Sequence, residues 1–245
     1  MRLTADRLIN ELRVMVHGPR HAKTTLRQVA NVEKRDPFKV LIATILSQRT
    51  RDENTSRATK QLFARFPSAK ALAEAPLRTV QHLIRPTGFY HVKARKIREV
   101  AKAIMEQHRG KVPRELESLL ELPLVGRKTA NCVLVYGFGE PAIPVDTHVH
   151  RISNRLGIVE SKTPAQTEDQ LLRFFDRKHW IEVNELMVRF GKTVCKPIGP
   201  RCHVCRLRND CKWYAENRSG SSELRRAKDS CSGVSSRANI PFRHA

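Results

Sequence analysis

Four of the six cysteines fall between residues 195 and 211, spaced C-x6-C-x2-C-x5-C as Cys195, Cys202, Cys205 and Cys211. No other feature restricts the fold so strongly, because four soft ligands this close can close one tetrahedral sulfur cage. A disulfide framework would spread its cysteines through a small secreted domain. Clustered thiols instead indicate a metal site in a reducing compartment. Zinc modules usually present two C-x2-C knuckles across a longer spacer. Here a single x2 pair sits between gaps of six and five, a spacing that favours a 4Fe–4S cluster over zinc. The loop between the first two ligands, KPIGPR, carries Lys196 and Arg201. A rigid, cluster-anchored loop can hold such cations against phosphates. Nothing else in the chain resembles an electron-acceptor site, so the cluster is expected to be structural.

The charge supports a polyanionic partner. Lys and Arg number 46 against 24 Asp and Glu, a formal net charge of +22. On a folded chain that is 40% hydrophobic, this excess points to nucleic acid. No apolar run is long enough for a membrane span. The first residues read as an amphipathic helix instead of a signal or transit peptide, so a cytoplasmic, nucleoid-associated location and no membrane partner are expected.

The apolar pattern is helical nearly throughout, and the fold class is all-α. Asp36 and Pro37 open a helix bearing Phe38, Leu41, Ile42, Ile45 and Leu46. A second helix with Leu62, Phe63 and Phe66 stops at Pro67, and Ser68 restarts a short one. Ile97, Val100, Ala101, Ile104 and Met105 form another apolar face, ended by Gly110. Thr163, Pro164 and Gln166 make a capping box. Trp180 to Phe190 forms a last helix, with Gly191 just past its end. Residues 212–245 are rich in Ser, Arg and Gly and read as a basic, disordered tail, with Cys231 a bystander.

Residues 115–135, ELESLLELPLVGRKTANCVLV, read as two short helices joined by Leu122-Pro123-Leu124-Val125-Gly126. Such a turn leaves backbone N–H groups at the start of the second helix, where they can bind a phosphate without reading sequence. Gly126 allows close approach of the phosphate. This is the pattern of a helix–hairpin–helix DNA-binding element. Asp146 follows twenty residues later in PVDTHVHR.

Hairpin, aspartate and four-cysteine loop together resemble the endonuclease III family of helix–hairpin–helix base-excision DNA glycosylases. The matching stretches are LPLVGRKTAN, VDTHVHRISNRLG, IRPTGFYHVKARKI and the cysteine loop, so the likeness spans roughly residues 1–211. It implies that Lys128 is the catalytic lysine and Asp146 the catalytic aspartate. A neutral lysine amine can attack the sugar C1′ carbon, displace the base and form a Schiff base. A carboxylate can stabilise the developing oxocarbenium charge; Asp146 is also placed to cap a helix starting at Thr147. A lysine, where relatives that mainly remove adenine or mismatched thymine carry serine or tyrosine, implies the bifunctional type. The resemblance further implies that the damaged base is flipped out. Gln48 or Arg49 would fill the gap from one side and Phe89 from another, with an apolar wedge parting the stack. Leu122, Leu124, Val125, Gly126, Arg127 and Thr129 would lie at the DNA through the hairpin. His148, also near the DNA, is expected to be a buried hydrogen-bonding residue. The family's hairpin often reads LPGVG, so Leu124 stands where a glycine is usual.

By the same resemblance, residues 30–139 form a helical barrel with the hairpin, and residues 1–29 join 140–211 in a cluster-bearing domain, with the active site between them. The expected protein is a bifunctional DNA glycosylase and AP lyase that acts as a monomer on oxidised pyrimidines in duplex DNA, with one 4Fe–4S cluster. Two alternatives stay open from the sequence. One is a monofunctional mismatch or uracil glycosylase of the same fold; the other is a non-catalytic zinc DNA-binding module.

Overall fold

The computed structural model describes residues 3–17, 24–33 and 35–217. These residues contain thirteen α-helices and no strand. In chain order they are α1 (Ala5–Val16), α2 (Thr25–Val32), α3 (Pro37–Ser47), α4 (Asp52–Arg65), α5 (Ala69–Glu74), α6 (Leu77–Leu83), α7 (Tyr90–Gln107), α8 (Leu116–Glu121), α9 (Arg127–Cys132), α10 (Thr147–Leu156), α11 (Pro164–Phe174), α12 (Trp180–Thr193) and α13 (Lys212–Asn217). Between α9 and α10 the helix continues as a π-helical segment, Val133–Phe138.

Local chemistry explains most of the boundaries. Asp36 accepts from the N–H groups of Phe38 (2.9 Å) and Lys39 (3.3 Å), and Pro37 opens α3. Ser68 caps α5, and Thr163 with Gln166 forms the full capping box of α11. α3 is buried along almost its whole length. Its apolar run is therefore the spine of a core and not one stripe of a surface helix.

Two hydrophobic cores form. One gathers side chains from Leu26 to Ala142, with α3 at its centre. The other joins α1 to residues from Ile143 to Leu207. α2 packs on the first core, so that core begins nearer residue 24 than residue 30. Polar contacts tie the two together. Tyr136 Oη donates to Asn184 Oδ1 (2.8 Å), and the buried Glu185 carboxylate accepts from Thr24 N–H (3.2 Å) and from the Thr24 hydroxyl. Lys192 pairs with Asp52.

Two expectations need correction. α12 does not stop before Gly191 but runs on to Thr193. Gly191 lies inside the helix because α10 passes so close: a Cβ there would sit 2.4 Å from His148 Nδ1 and 3.0 Å from Ile152 Cδ1. The tail does not begin at residue 212 either, because α13 packs on α10 and Trp213 lies beneath the Arg155 guanidinium, 4.7 Å from ring centre. Residues 218–245, including Cys231, lie outside the described residues.

Candidate active site and cluster centre

The hairpin is α8, the turn Leu122–Gly126, and α9. Leu122 and Val125 are buried and pin the turn to the first core. Thr129 is buried as well. The side chains of these three cannot reach a ligand; only their backbone can. Gly126 is the N-cap of α9 and offers no side-chain acceptor, so the first N–H groups of the helix are left without a cap. A Cβ at Gly126 would meet nothing within 4 Å, and its φ of −88° suits any residue. Nothing inside the protein demands glycine there. Leu124, at the tip, is exposed and held at φ +66°, a left-handed conformation that a leucine adopts only at a cost.

Lys128 sits in the first turn of α9, half-buried. Asp146 caps α10 by accepting with Oδ1 from the N–H groups of His148 and Val149, both at 2.9 Å. Its Oδ2 takes no hydrogen bond from the described residues. A third group that sequence reasoning missed, the thiol of Cys132, lies within electrostatic reach of both Lys128 and Asp146. Cys132 is one helical turn after Lys128 and fully buried. Burial pushes its thiol up; the Lys128 ammonium beside it pulls the other way, and the Asp146 carboxylate adds to the rise. The i, i+4 spacing from Lys128 was the available signal.

The supporting groups are specific. Glu168 on α11, itself buried, accepts from Asn131 Nδ2 (2.9 Å) and pairs with Arg127 Nε (3.0 Å), bracing α9 against the second core on either side of Lys128. Arg127 remains exposed, with Glu168 holding one edge of its guanidinium. His148 is half-buried and its Nδ1 lies 3.2 Å from Arg151 Nη2. Burial pushes the His148 imidazole below its usual range, opposed by the Asp146 carboxylate and reinforced by the Arg151 charge. Neutral His148 can therefore accept from Arg151, which also donates to the Cys195 carbonyl at 2.9 Å.

Gln48 and Arg49 lie in the turn after α3 and are exposed; Arg49 has φ +51°. Phe89 caps α7 at φ +57° and is 65% exposed, a large ring left in solvent. The two turns touch, since a Cβ at Gly88 would lie 3.3 Å from the Arg49 carbonyl oxygen.

Cys195, Cys202, Cys205 and Cys211 line one cavity, with Arg155 and Trp213 on its wall. Burial raises the Cys202, Cys205 and Cys211 thiols, Cys205 to about 11, and the neighbouring sulfurs add to the rise. Among the described residues no three His, Cys, Asp or Glu side chains come close enough to hold a single metal ion. Arg155 spans the rim, donating to the carbonyls of Lys196 (2.7 Å) and Pro197 (2.9 Å), with its Nη1 3.6 Å from Cys195 Sγ. Lys196 and Arg201 stand exposed on that tethered loop. None of the described helices is long and apolar enough to cross a membrane.

Residues 42–177 match the model of the HhH-GPD superfamily base excision DNA repair proteins. The chain is 49% identical over 195 residues to endonuclease III of Thermotoga maritima, covering 80% of this chain and 91% of the relative. The chain belongs to the endonuclease III family. It is also 39% identical to the Bacillus subtilis endonuclease III over 178 residues, 72% of this chain and 81% of that one. The fold superposes on a trapped endonuclease III–DNA covalent intermediate with a TM-score of 0.75 at 32% identity, covering 88% of this chain and 99% of the other. A non-covalent endonuclease III–DNA complex gives 0.75 at 30% identity, covering 89% and 99%. As an endonuclease III family member, the protein is a DNA glycosylase and AP lyase of base excision repair.

Proposed function

We propose that the chain removes oxidised pyrimidines from duplex DNA with Lys128 as nucleophile and Asp146 as its carboxylate partner. The neutral amine attacks C1′ and forms a C–N bond as the N-glycosidic bond breaks and the base leaves with a proton. Loss of the second amine proton and ring opening give an imine. The imine acidifies the C2′ proton; its removal expels the 3′ phosphate and cuts the strand without net oxidation. The free Oδ2 of Asp146 is available to the positive charge that develops at C1′. The observation that carries this reading is the Asp146 carboxylate, its Oδ1 taken up in capping α10, within electrostatic reach of the same buried Cys132 thiol as Lys128.

DNA would be held through its backbone, by the uncapped amides after Gly126 and by Lys196 and Arg201. Gln48 or Arg49, with Phe89, would occupy the space left by the flipped base. The four cysteines would hold one 4Fe–4S cluster. Four cysteine thiols lining one cavity fit that group, whose iron is held by cysteine thiolates. The cluster, when bound, crosslinks the loop to α12 and α13. The two cores correspond to two domains, and the enzyme works as a cytoplasmic monomer.

The test is borohydride trapping on thymine-glycol and abasic duplexes. The intact protein is expected to give a covalent complex, and Lys128→Gln to give none. A base-removing protein that leaves the strand intact until alkali treatment would favour the monofunctional alternative.

A further inference from the structure

Lys93 lies in the first turn of α7 and is 5% exposed. Its Nζ donates to the Leu46 carbonyl (2.8 Å), the Gln48 carbonyl (2.6 Å) and the Thr50 hydroxyl (2.7 Å). Those three acceptors match the three protons of an ammonium. No carboxylate pairs with it among the described residues. A buried cation without a counter-ion is a costly choice for a fold, and an apolar side chain of that volume would usually serve stability as well. The compensation comes from one place, the carbonyl end of α3 and the turn behind it. That turn carries Gln48 and Arg49, while Lys93 follows Phe89 by four residues. Arg49 and Phe89 are both exposed and both left-handed, conformations that persist only where surroundings enforce them.

We propose that Lys93 is a positioning residue that locks the turn after α3 to the start of α7, holding the gap-filling side chains at the separation needed to keep a duplex open. The inference rests on the gap-filling role given above to Gln48 or Arg49 and to Phe89. Burial pushes the Lys93 amine down to about 8, consistent with an ammonium that the site keeps by hydrogen bonds and not by a counter-charge.

The experiment compares two reactions of the full chain. One is single-turnover base release from a thymine-glycol duplex carrying 2-aminopurine opposite the lesion. The other is cleavage of a single-stranded abasic oligonucleotide, which has no stack to part. Lys93→Met is expected to slow duplex base release about tenfold to a hundredfold and to suppress the 2-aminopurine fluorescence rise. Single-strand cleavage should stay within about twofold, since Lys128 is untouched. Thr50→Val, which removes one acceptor and keeps the lysine, should show the same selective loss in smaller measure. It decides the matter if Lys93→Met does not fold. Equal loss on both substrates, or no loss on either, overturns the lock. If Phe89→Ala and Gln48→Ala or Arg49→Ala slow duplex release selectively and the lock variants do not, the gap-filling reading stands and the lock falls. If none of these variants does so, both fall.

Discussion

On the proposed mechanism Asp146 carries two jobs in one side chain, and they can be separated by substitution. Its Oδ1 caps α10, and its Oδ2 is left for chemistry. Asparagine caps a helix as well as aspartate does, whereas alanine does not. Asp146→Asn should therefore unfold in urea close to the parent, and Asp146→Ala about 1 kcal/mol earlier, while both lose base release. Lys93 makes a prediction of opposite sign to the usual one for a lysine that gains a charged partner on folding. Its amine is held at about 8 in the fold against about 10.4 in an unfolded chain, so between those values the unfolded state binds more protons. Its contribution to stability is least where it is charged and grows as pH rises through 8 towards 10. Thermal melts across that range should show a rise in the parent that is diminished in Lys93→Met. The positions of Lys128 in the first turn of α9 and of Asp146 at the N-cap of α10 were legible in the sequence because a motif and a spacing mark them. Glu168 and Lys93 were not, since each acts through a contact that only the fold creates, and Cys132 offered no more than its i, i+4 spacing from Lys128.

At the scale of elements, the hairpin is pinned from within and open outward. Gly126→Ala meets no atom, so its stability should be unchanged; if the amides after it hold a phosphate, its DNA affinity should fall in a filter-binding or anisotropy assay. Leu124 is the reverse case. Relieving its left-handed backbone with Leu124→Gly should stabilise the protein by up to about 1 kcal/mol, read as a higher urea midpoint at constant slope. Caps and prolines made α3, α5 and α11 readable in advance. α2 and α6 escaped because, at 8 and 7 residues, each spans too few turns for a period to register. Gly191 was misread as a terminator: in isolation a glycine after an apolar stretch looks like a C-cap, and only the passage of His148 and Ile152 overhead shows that it makes room. The π-helical turn had no cue in local pattern. There the backbone of Gly137 passes close to Pro37: a Cβ added at Gly137 would sit only 2.9 Å from the Pro37 Cα.

For the whole molecule, charge and architecture act together. If the net +22 serves a phosphate backbone, log affinity should fall linearly with log salt, and removing Lys196 or Arg201 should each reduce the slope by about 1. The all-α class followed from periodicity and from resemblance. The polar ties between the cores did not, because each partner lies more than thirty residues from the other. The order in which the cores are strung along the chain has a consequence for biosynthesis. The first core is built from one continuous stretch, yet it interrupts the second, whose earliest piece is α1 and whose last is Leu207. On a ribosome adding about 5–20 residues per second, α1 emerges roughly 10–40 s before the groups that will cover Leu8, Ile9, Leu12 and Val16. During that interval the helix presents a naked apolar stripe to solvent, and α1 waits uncovered while the whole first core is made.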